Sequence, residues 1–461
     1  MRFSERTGWN TEESDLARAH RLRRAAGLPI ADLTASNPTR CGFKYPDSLL
    51  NALTDARALD YDPQPCGLLA AREAVCRYYA DHGVALDPSQ IVLTTSTSEA
   101  YSFLFRLLCD PGSEILVPQP GYPLFDFLAT LDDVRIKAAP LVYDDGWQID
   151  FEGMRRAINS QTRAIVVVHP NNPTGHFTKA WEAEELALIC REHGLSLIVD
   201  EVFLDYREQG SGKTGSEGAR EQGSEKTGSE RTREHESAGL ETRTTAGLET
   251  GGTREAGVTR EAGATREART TRESGEGHGS FAAGIEGVPV FVVSGLSKIA
   301  GLPQMKAAWI AVTGPENALA PKQPWLDRLE VIADTFLSMN APVQWALSVW
   351  LAGRAEIQAQ IRRRVSANLA ELDRQLATVP TLERLAVEGG WYAVLRVPAL
   401  GPDEQTVLAL LEHGVWVHPG YFFGLPESGW LVVSLLGEEA EFNAGLVTIT
   451  NYFRTNQHGN F

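Results

Sequence analysis

No apolar run in the chain approaches the roughly 18 residues that a membrane helix needs, so no bilayer span is expected. The opening MRFSERTGWNTEES is charged and lacks the apolar stretch of a secretory leader, so no signal peptide is expected. Cysteine is sparse: Cys41, Cys66, Cys76, Cys109 and Cys190 are scattered, odd in number and form no CxxC pair. This spacing fits the reduced thiols of a cytoplasmic protein better than a disulfide framework or a zinc site. Positive charge is also short, with 43 Lys and Arg against 60 Asp and Glu in 461 residues, a net charge of −17. Nucleic acid and anionic membranes both need basic patches, so neither is an expected partner.

What is present is the balance of a globular protein, 43% hydrophobic and 22% charged. The length allows two ordinary domains. One segment stands apart. Residues 207–280 are mostly Gly, Ser, Thr, Glu and Arg, with no aromatic side chain and near-repeats such as TREAGVTREAGATREARTTRES (253–274). Such a composition buries too little apolar surface to offset its ordering entropy, so a disordered, low-complexity insertion is expected there. An expanded surface loop of this kind needs no function.

Around the insertion, short apolar runs alternate with amphipathic stretches. QIVLTT (90–95), EILVPQ (114–119), VRIKAAP (134–140), RAIVVVH (163–169), LSLIVDE (195–201) and PVFVVSG (289–295) read as strands. Helices fit at 97–109, 123–131, 150–159, 179–193 and 298–302. β-branched runs separated by helices imply a largely parallel sheet covered on both faces, with ligands bound beyond the C-terminal strand ends. Beyond 314 a long helical stretch at about 327–377 leads into shorter strands at 391–398, 415–420 and 430–436, the pattern of a smaller α+β domain.

Five short stretches fall at those strand ends. In VSGLSKIAGLPQMK (293–306), Lys298 follows a buried strand amid small and apolar residues. A lysine in a turn needs no purpose, but a desolvated one has a lowered pKa and becomes a nucleophile for Schiff-base chemistry. Asp200 closes the most apolar strand. It is either a structural cap or ion pair, or a carboxylate that keeps a pyridine nitrogen protonated. HPNNPTGHF (169–177) is a turn by composition, in which Asn172 can also offer an amide to a phenolate. In TTSTSEAYSFLF (94–105), Ser96 and Glu99 form a capping box. The same helix start, with Ser96, Thr97 and Ser98, can cup a phosphate, and the loop has no dinucleotide or Walker pattern. Tyr122, in PQPGYPLFDF (118–127), is either core or a platform for a flat ring.

Together with YDPQPCGLLAAREAV (61–75) and HPGYFFG (418–424), these motifs resemble, in order and approximate spacing, the class I and II aminotransferases of fold type I. The resemblance covers nearly the whole chain apart from the insertion. It implies a mainly parallel seven-stranded α/β sheet in a large domain, residues 46–314, interrupted by 207–280. Residues 1–45 would pack with a smaller α+β domain, and 315–461 would supply an interdomain helix and that domain. It implies pyridoxal 5'-phosphate as cofactor, no metal, and a small-molecule amino donor and oxo acceptor. Lys298 would carry the cofactor as a Schiff base and shuttle protons. Asp200 would pair with the pyridinium and Asn172 with the phenolate, while Tyr122 would stack on the ring. Ser96, Thr97, Ser98 and Lys306 would hold the phosphate, with Tyr61 reaching it from the other subunit of a homodimer. Trp391 and Tyr392 would line the substrate pocket.

The chain departs from the family pattern at four places. Lys306 stands where an arginine usually grips the phosphate, which replaces a bidentate fork by a point charge. Phe203 replaces a tyrosine that would donate to the phenolate. Gly295 stands where Ser or Thr is common. In GWLVVSLL (429–436), Val432 occupies the place of the arginine that clamps a substrate carboxylate. Arg40, in SNPTRCGF (36–43), is the candidate substitute, with Asn37 beside it, and Lys44 is a weaker one. The same residues also suit a lyase, racemase or decarboxylase that shares the cofactor, or a cofactor-binding regulatory protein without turnover.

Overall fold

The computed structural model describes residues 2–208, 277–315, 324–337 and 339–456. The disorder expected for the insertion concerns 209–276, which lie outside the described residues. The two flanks belong to the fold. Glu208 N–H donates to Glu388 O at 2.9 Å, and His278 N–H to Thr178 O at 2.7 Å. The Arg207 guanidinium lies so close to Gly277 that a Cβ there would collide with it. The boundaries 207–280 are therefore too wide, because backbone donors on both flanks already have partners in the body of the protein.

The β-branched runs form strands β1 Ile91–Thr94, β2 Glu114–Gln119, β3 Arg135–Tyr143, β4 Trp147–Ile149, β5 Thr162–Val168, β6 Ser196–Asp200, β7 Val290–Gly295 and β8 Ala308–Thr313. They build one eight-stranded sheet in the order β1-β8-β7-β6-β5-β2-β3-β4. Neighbours from β7 through β3 pair in parallel, whereas β8 runs antiparallel to β1 and β7. Every residue of β6, β7 and β8 is buried, as strands covered on both faces must be. The sheet has one strand more than the expected seven. The extra one is β4, a three-residue antiparallel return at the edge. Asp145 and Gly146 turn it back with positive φ, an Asp-Gly hairpin signal that the sequence carries openly.

The helical stretch at 327–377 divides into three helices: α1 Pro324–Phe336, α2 Ala341–Ala352 and α3 Arg354–Leu376. Asn340 caps α2 by accepting from Val343 N–H, with Pro342 in the first turn, and Gly353 separates α2 from α3. Proline suits a first turn and cannot continue a helix interior.

A second sheet, β9 Glu383–Arg384, β10 Tyr392–Arg396, β11 His418–Pro419 and β12 Trp430–Ser434, is antiparallel throughout in the order β9-β10-β12-β11. One face, with Ala393, Leu395, Leu431 and Val433, packs on α3 and on α4 Glu439–Asn456. The other, with Val394 and Val432, packs on Trp147 of β4 and on Phe423. Ala31–Asp32 pair in parallel with Val415–Trp416, and Leu16 and Leu33 enter the same core. Arg6 also bonds Asp133, and Trp9 meets the Phe127 ring, so the N-terminal segment touches the large sheet's side as well.

Because Arg207 and Gly277 are adjacent in space, the chain leaves and re-enters the fold at one place. Replacing residues 209–276 with a short Gly/Ser linker is expected to leave the melting temperature within a few degrees of the parent. Thermal unfolding followed by circular dichroism checks this, and a collapse in melting temperature would show that the segment stabilises the fold.

Candidate active site

Strands β5, β6 and β7 lie side by side. Val168 stands opposite Asp200, and Asp200 opposite Val293. Their C-terminal ends therefore open at one level, where ligands of such sheets bind. Each end delivers one group: Asn172 from the turn after β5, Asp200 as the last residue of β6, and Lys298 from the short helix Leu296–Ile299 after β7. Tyr206 donates its hydroxyl to Lys298 O at 2.7 Å, which fixes the lysine backbone.

The Lys298 amine faces aromatic rings. Its Nζ lies 5.1 Å from the Trp391 ring centroid and 5.6 Å from that of Phe203. Burial pushes its pKa down, and the Asp200 carboxylate opposes that fall. Asp200 is buried and accepts from Val202 N–H at 3.1 Å and from the Tyr101 hydroxyl at 3.0 Å. Burial still raises its carboxyl to about 6, against those two hydrogen bonds and the lysine charge. A weakened ammonium thus faces a carboxyl poised near neutrality in a water-poor site, the usual arrangement for proton and imine chemistry.

The two adjacent asparagines separate by their bonds. Asn171 donates to Pro120 O at 3.0 Å and to Thr174 Oγ1 at 2.9 Å, so its amide holds the turn. Asn172 is equally buried, and its amide oxygen has no partner among the described residues. Ser96 does cap the helix Thr97–Leu108, accepting from Glu99 N–H at 3.1 Å, and Glu99 accepts from Thr95 N–H at 2.6 Å. Glu99 reaches Thr95 and not the cap residue itself, so only the Ser96 half of the expected capping box forms. That cap and the phosphate cup are compatible, since the Thr97 and Ser98 N–H groups belong to the first turn and have no intrahelical acceptor. Tyr122 is 39% exposed and lies within electrostatic reach of both Asp200 and Tyr392. Lys306 is exposed, with a left-handed φ of 51° just before β8.

A model of the family described as aminotransferase class I and II matches residues 48–216 and 266–449. The chain belongs to the aminotransferase class I and II family. Alanine aminotransferase of Mycobacterium tuberculosis is 24% identical over 445 residues, 93% of this chain and 86% of that protein. Nicotianamine aminotransferase 1 of rice is 30% identical over 183 residues, and there the match spans only 36% of the relative's length. Among solved structures, an alanine aminotransferase from Pyrococcus furiosus superposes with a TM-score of 0.77 at 21% identity, covering 98% of this chain and all of the other, a likeness of fold. The family is pyridoxal-phosphate-dependent, and the residues present fit that group: a buried Asn172 whose amide nitrogen can donate to a phenolate, a buried carboxyl at Asp200 and a desolvated amine at Lys298.

The departures from the family pattern have structural reasons. Gly295 is imposed by close approach, because a Cβ there would meet Ala307 O and Ala308 Cβ at 2.8 Å each. Phe203 is buried with its ring toward Lys298, so no hydroxyl is offered there. Val432 is fully buried, opposite Val394 and His418, in a cluster with Trp147, Leu385, Phe423 and Leu425. His418 cannot replace the arginine's charge, because burial lowers its pKa to about 4.

The substrate-side expectations fare unevenly. Trp391 is fully buried and walls Lys298 instead of presenting an open surface, with its indole N–H unpartnered among the described residues. Tyr392 is half-buried and shares a hydrogen bond with Ser36. Asn37 turns away to cap the turn at Pro38–Arg40, bonding Thr39 N–H and hydroxyl, and both Asn37 and Arg40 are exposed. Ser36, one residue before Asn37, meets Tyr392.

Two features escaped the sequence reading. One is Tyr101, four positions after Thr97 on the same helix face, a spacing that was there to be read. The other is a partly buried ionic cluster that joins the NPTG turn to the loop ahead of Trp391. His176 Nε2 lies 3.0 Å from Glu182, Lys179 bonds Glu388, and Glu388 accepts from Phe177 N–H at 2.8 Å. Gly175 makes the approach possible, since a Cβ there would lie 2.7 Å from Gly389 O. The Lys179 and His176 charges and hydrogen bonds hold Glu388 at about 2 despite its burial. Glu388→Gln is expected to cost about 2 kcal/mol, the scale for losing charged hydrogen bonds in a partly buried pair. The folded pKa is depressed, so the loss should be complete above the ordinary carboxyl range and fade as pH falls toward about 2. Urea unfolding at several pH values reads it, and an unchanged midpoint would show the cluster to be idle.

Proposed function

We propose that this chain is a working homodimeric transaminase in which Lys298 is the catalytic amine, acting on a small amino donor and an oxo-acid acceptor. The observation that carries the reading is the pairing of Lys298 and Asp200 at neighbouring strand ends, each shifting the other's protonation in a desolvated site. Pyridoxal phosphate supplies the electron sink for the carbanion at the substrate's α-carbon. Lys298 Nζ would hold the cofactor and move the α-proton. Asp200 would keep the ring nitrogen protonated, and the Asn172 amide nitrogen would donate to the phenolate oxygen. Tyr122 would cover the ring. Ser96, Thr97, Ser98 and Lys306 would hold the phosphate.

The dimer reading draws on exposed apolar side chains that lie close in sequence, at Leu50, Leu59, Tyr61 and Leu69, from 50% to 89% exposed. A second copy covering them would bring its Tyr61 to the phosphate. A cytoplasmic site fits the five free thiols, and among the described residues no helix is long and apolar enough to cross a membrane. Tyr392 lines the substrate side, backed by Trp391. Arg40 supplies the cation missing at Val432, with Asn37 fixing the turn that presents it. The support is its exposure and its place four residues beyond Ser36, which bonds Tyr392.

Borohydride reduction of the holoprotein followed by peptide mapping is expected to label Lys298 and no other lysine. Amino acids added to the unreduced protein should then bleach the visible band and release the matching oxo acid without ammonia. An unlabelled Lys298 overturns the reading, while release of ammonia with pyruvate would favour elimination.

Arg40→Ala is expected to raise KM for the amino acid at least tenfold with little change in kcat, about the loss of one charged contact. Steady-state kinetics with the best donor decides it, and an unchanged KM would remove Arg40 from the site.

A further inference from the structure

The helix Thr97–Leu108 does more than start at the candidate phosphate cup. One turn in, it sends the Tyr101 hydroxyl across to Asp200 Oδ2 at 3.0 Å, with both groups buried. The Tyr101 ring is held edge-on against Phe125, with centroids 5.1 Å apart at 90°, and leans on Phe105 at 5.9 Å. A ring so boxed cannot swing its hydroxyl elsewhere without opening the core. Asp200 Oδ1 is taken by Val202 N–H, so Tyr101 supplies the only hydrogen bond to the other carboxylate oxygen among the described residues. Nothing in the family resemblance of the sequence called for a tyrosine at this place.

We infer that Tyr101 is a positioning residue for the cofactor: its hydroxyl orients the Asp200 carboxylate toward the ring nitrogen and keeps it ionised, so that one helix controls both the phosphate end and the ring end. The inference rests on the proposed cofactor reading. A hydroxyl donating to a carboxylate favours the charged form, which burial alone disfavours here. The donor is itself a secure proton holder, since burial and the neighbouring carboxylate raise the Tyr101 pKa well above that of an ordinary phenol. Lys298, Tyr122, Tyr79 and Glu201 are the other titratable groups within electrostatic reach of Asp200, and a change at Tyr101 leaves all four in place.

Tyr101→Phe removes one oxygen and keeps the ring in its aromatic box. Apoprotein of the parent and of the variant is titrated with pyridoxal 5'-phosphate from pH 5 to pH 8, following cofactor binding by fluorescence. The variant is expected to bind about tenfold more weakly at neutral pH, the scale of a hydrogen bond to a charged group. The acid limb of its affinity should also move to higher pH, because Asp200 then takes up a proton sooner. In an Asp200→Ala background the same tyrosine change should have no further effect on affinity. Equal affinity and an unmoved acid limb for Tyr101→Phe, with parental binding intact, overturn the role of Tyr101 alone. So does a full tenfold loss that persists without Asp200, which would mark Tyr101 as packing. If the parent binds no cofactor, both this inference and the reading beneath it fall.

Discussion

Two charges share one dry place at the ends of neighbouring strands, and the site is organised around their mutual dependence. Taken out of water alone, Lys298 would shed its proton and Asp200 would take one up. The Asp200 charge holds the lysine part-way, and the Val202 and Tyr101 hydrogen bonds together with the lysine charge hold Asp200 part-way, which leaves an amine able to act as a nucleophile and a carboxyl able to hold a proton on a ring nitrogen. This balance requires that water be excluded. Trp391 and Phe203 do so on the lysine's side, and the burial of β6 and β7 does so beneath. A parallel core with short strands provides this, because its C-terminal ends converge where the backbone must turn and side chains are free to point at a ligand.

The dry pocket has walls from two separately built layers, and the junction between them is electrostatic. The loop that carries Trp391 and leads into β10 at Tyr392 is pinned by Glu388 to Lys179 and to the backbone of Phe177, just after the turn that holds Asn172. Asn172 and Trp391 are therefore not independent features of two domains. Their relative placement depends on a His–Glu–Lys cluster with a buried histidine and a partly buried Glu–Lys pair, and such a cluster tolerates the loss of one partner poorly because the charge left behind is only partly solvated.

Membership of the aminotransferase family accounts for the frame and the cofactor, while several local choices are this chain's own. At Gly295, β8 lies too close for any side chain. At Val432 the space is filled by Trp147, Phe423 and Leu425, so a long cation on that strand would have to displace a packed apolar cluster. On the proposed reading, substrate recognition would shift from the small sheet's strand toward the segment around Ser36 and Arg40.

Patterns that depend on near neighbours were legible in the sequence. Runs such as LSLIVD and VFVVSG announced buried parallel strands, because only a strand covered on both faces is apolar at every position. Ser96 with Glu99 announced a helix start, because capping is a local exchange of hydrogen bonds. Lys298, Asp200 and Asn172 could be picked out because each stands just past such a run. What the sequence could not show were relations between residues far apart in the chain: Tyr101 with Asp200, Ser36 with Tyr392, and Glu388 with Lys179 and His176. Whether Trp391 lined open space or sealed the lysine, and whether Asn37 faced the substrate or capped its own turn, also waited on the tertiary structure. Local patterning limits what a residue is able to do. Only the packing of distant segments decides its neighbours, and those neighbours set its dielectric surroundings, its proton and its role.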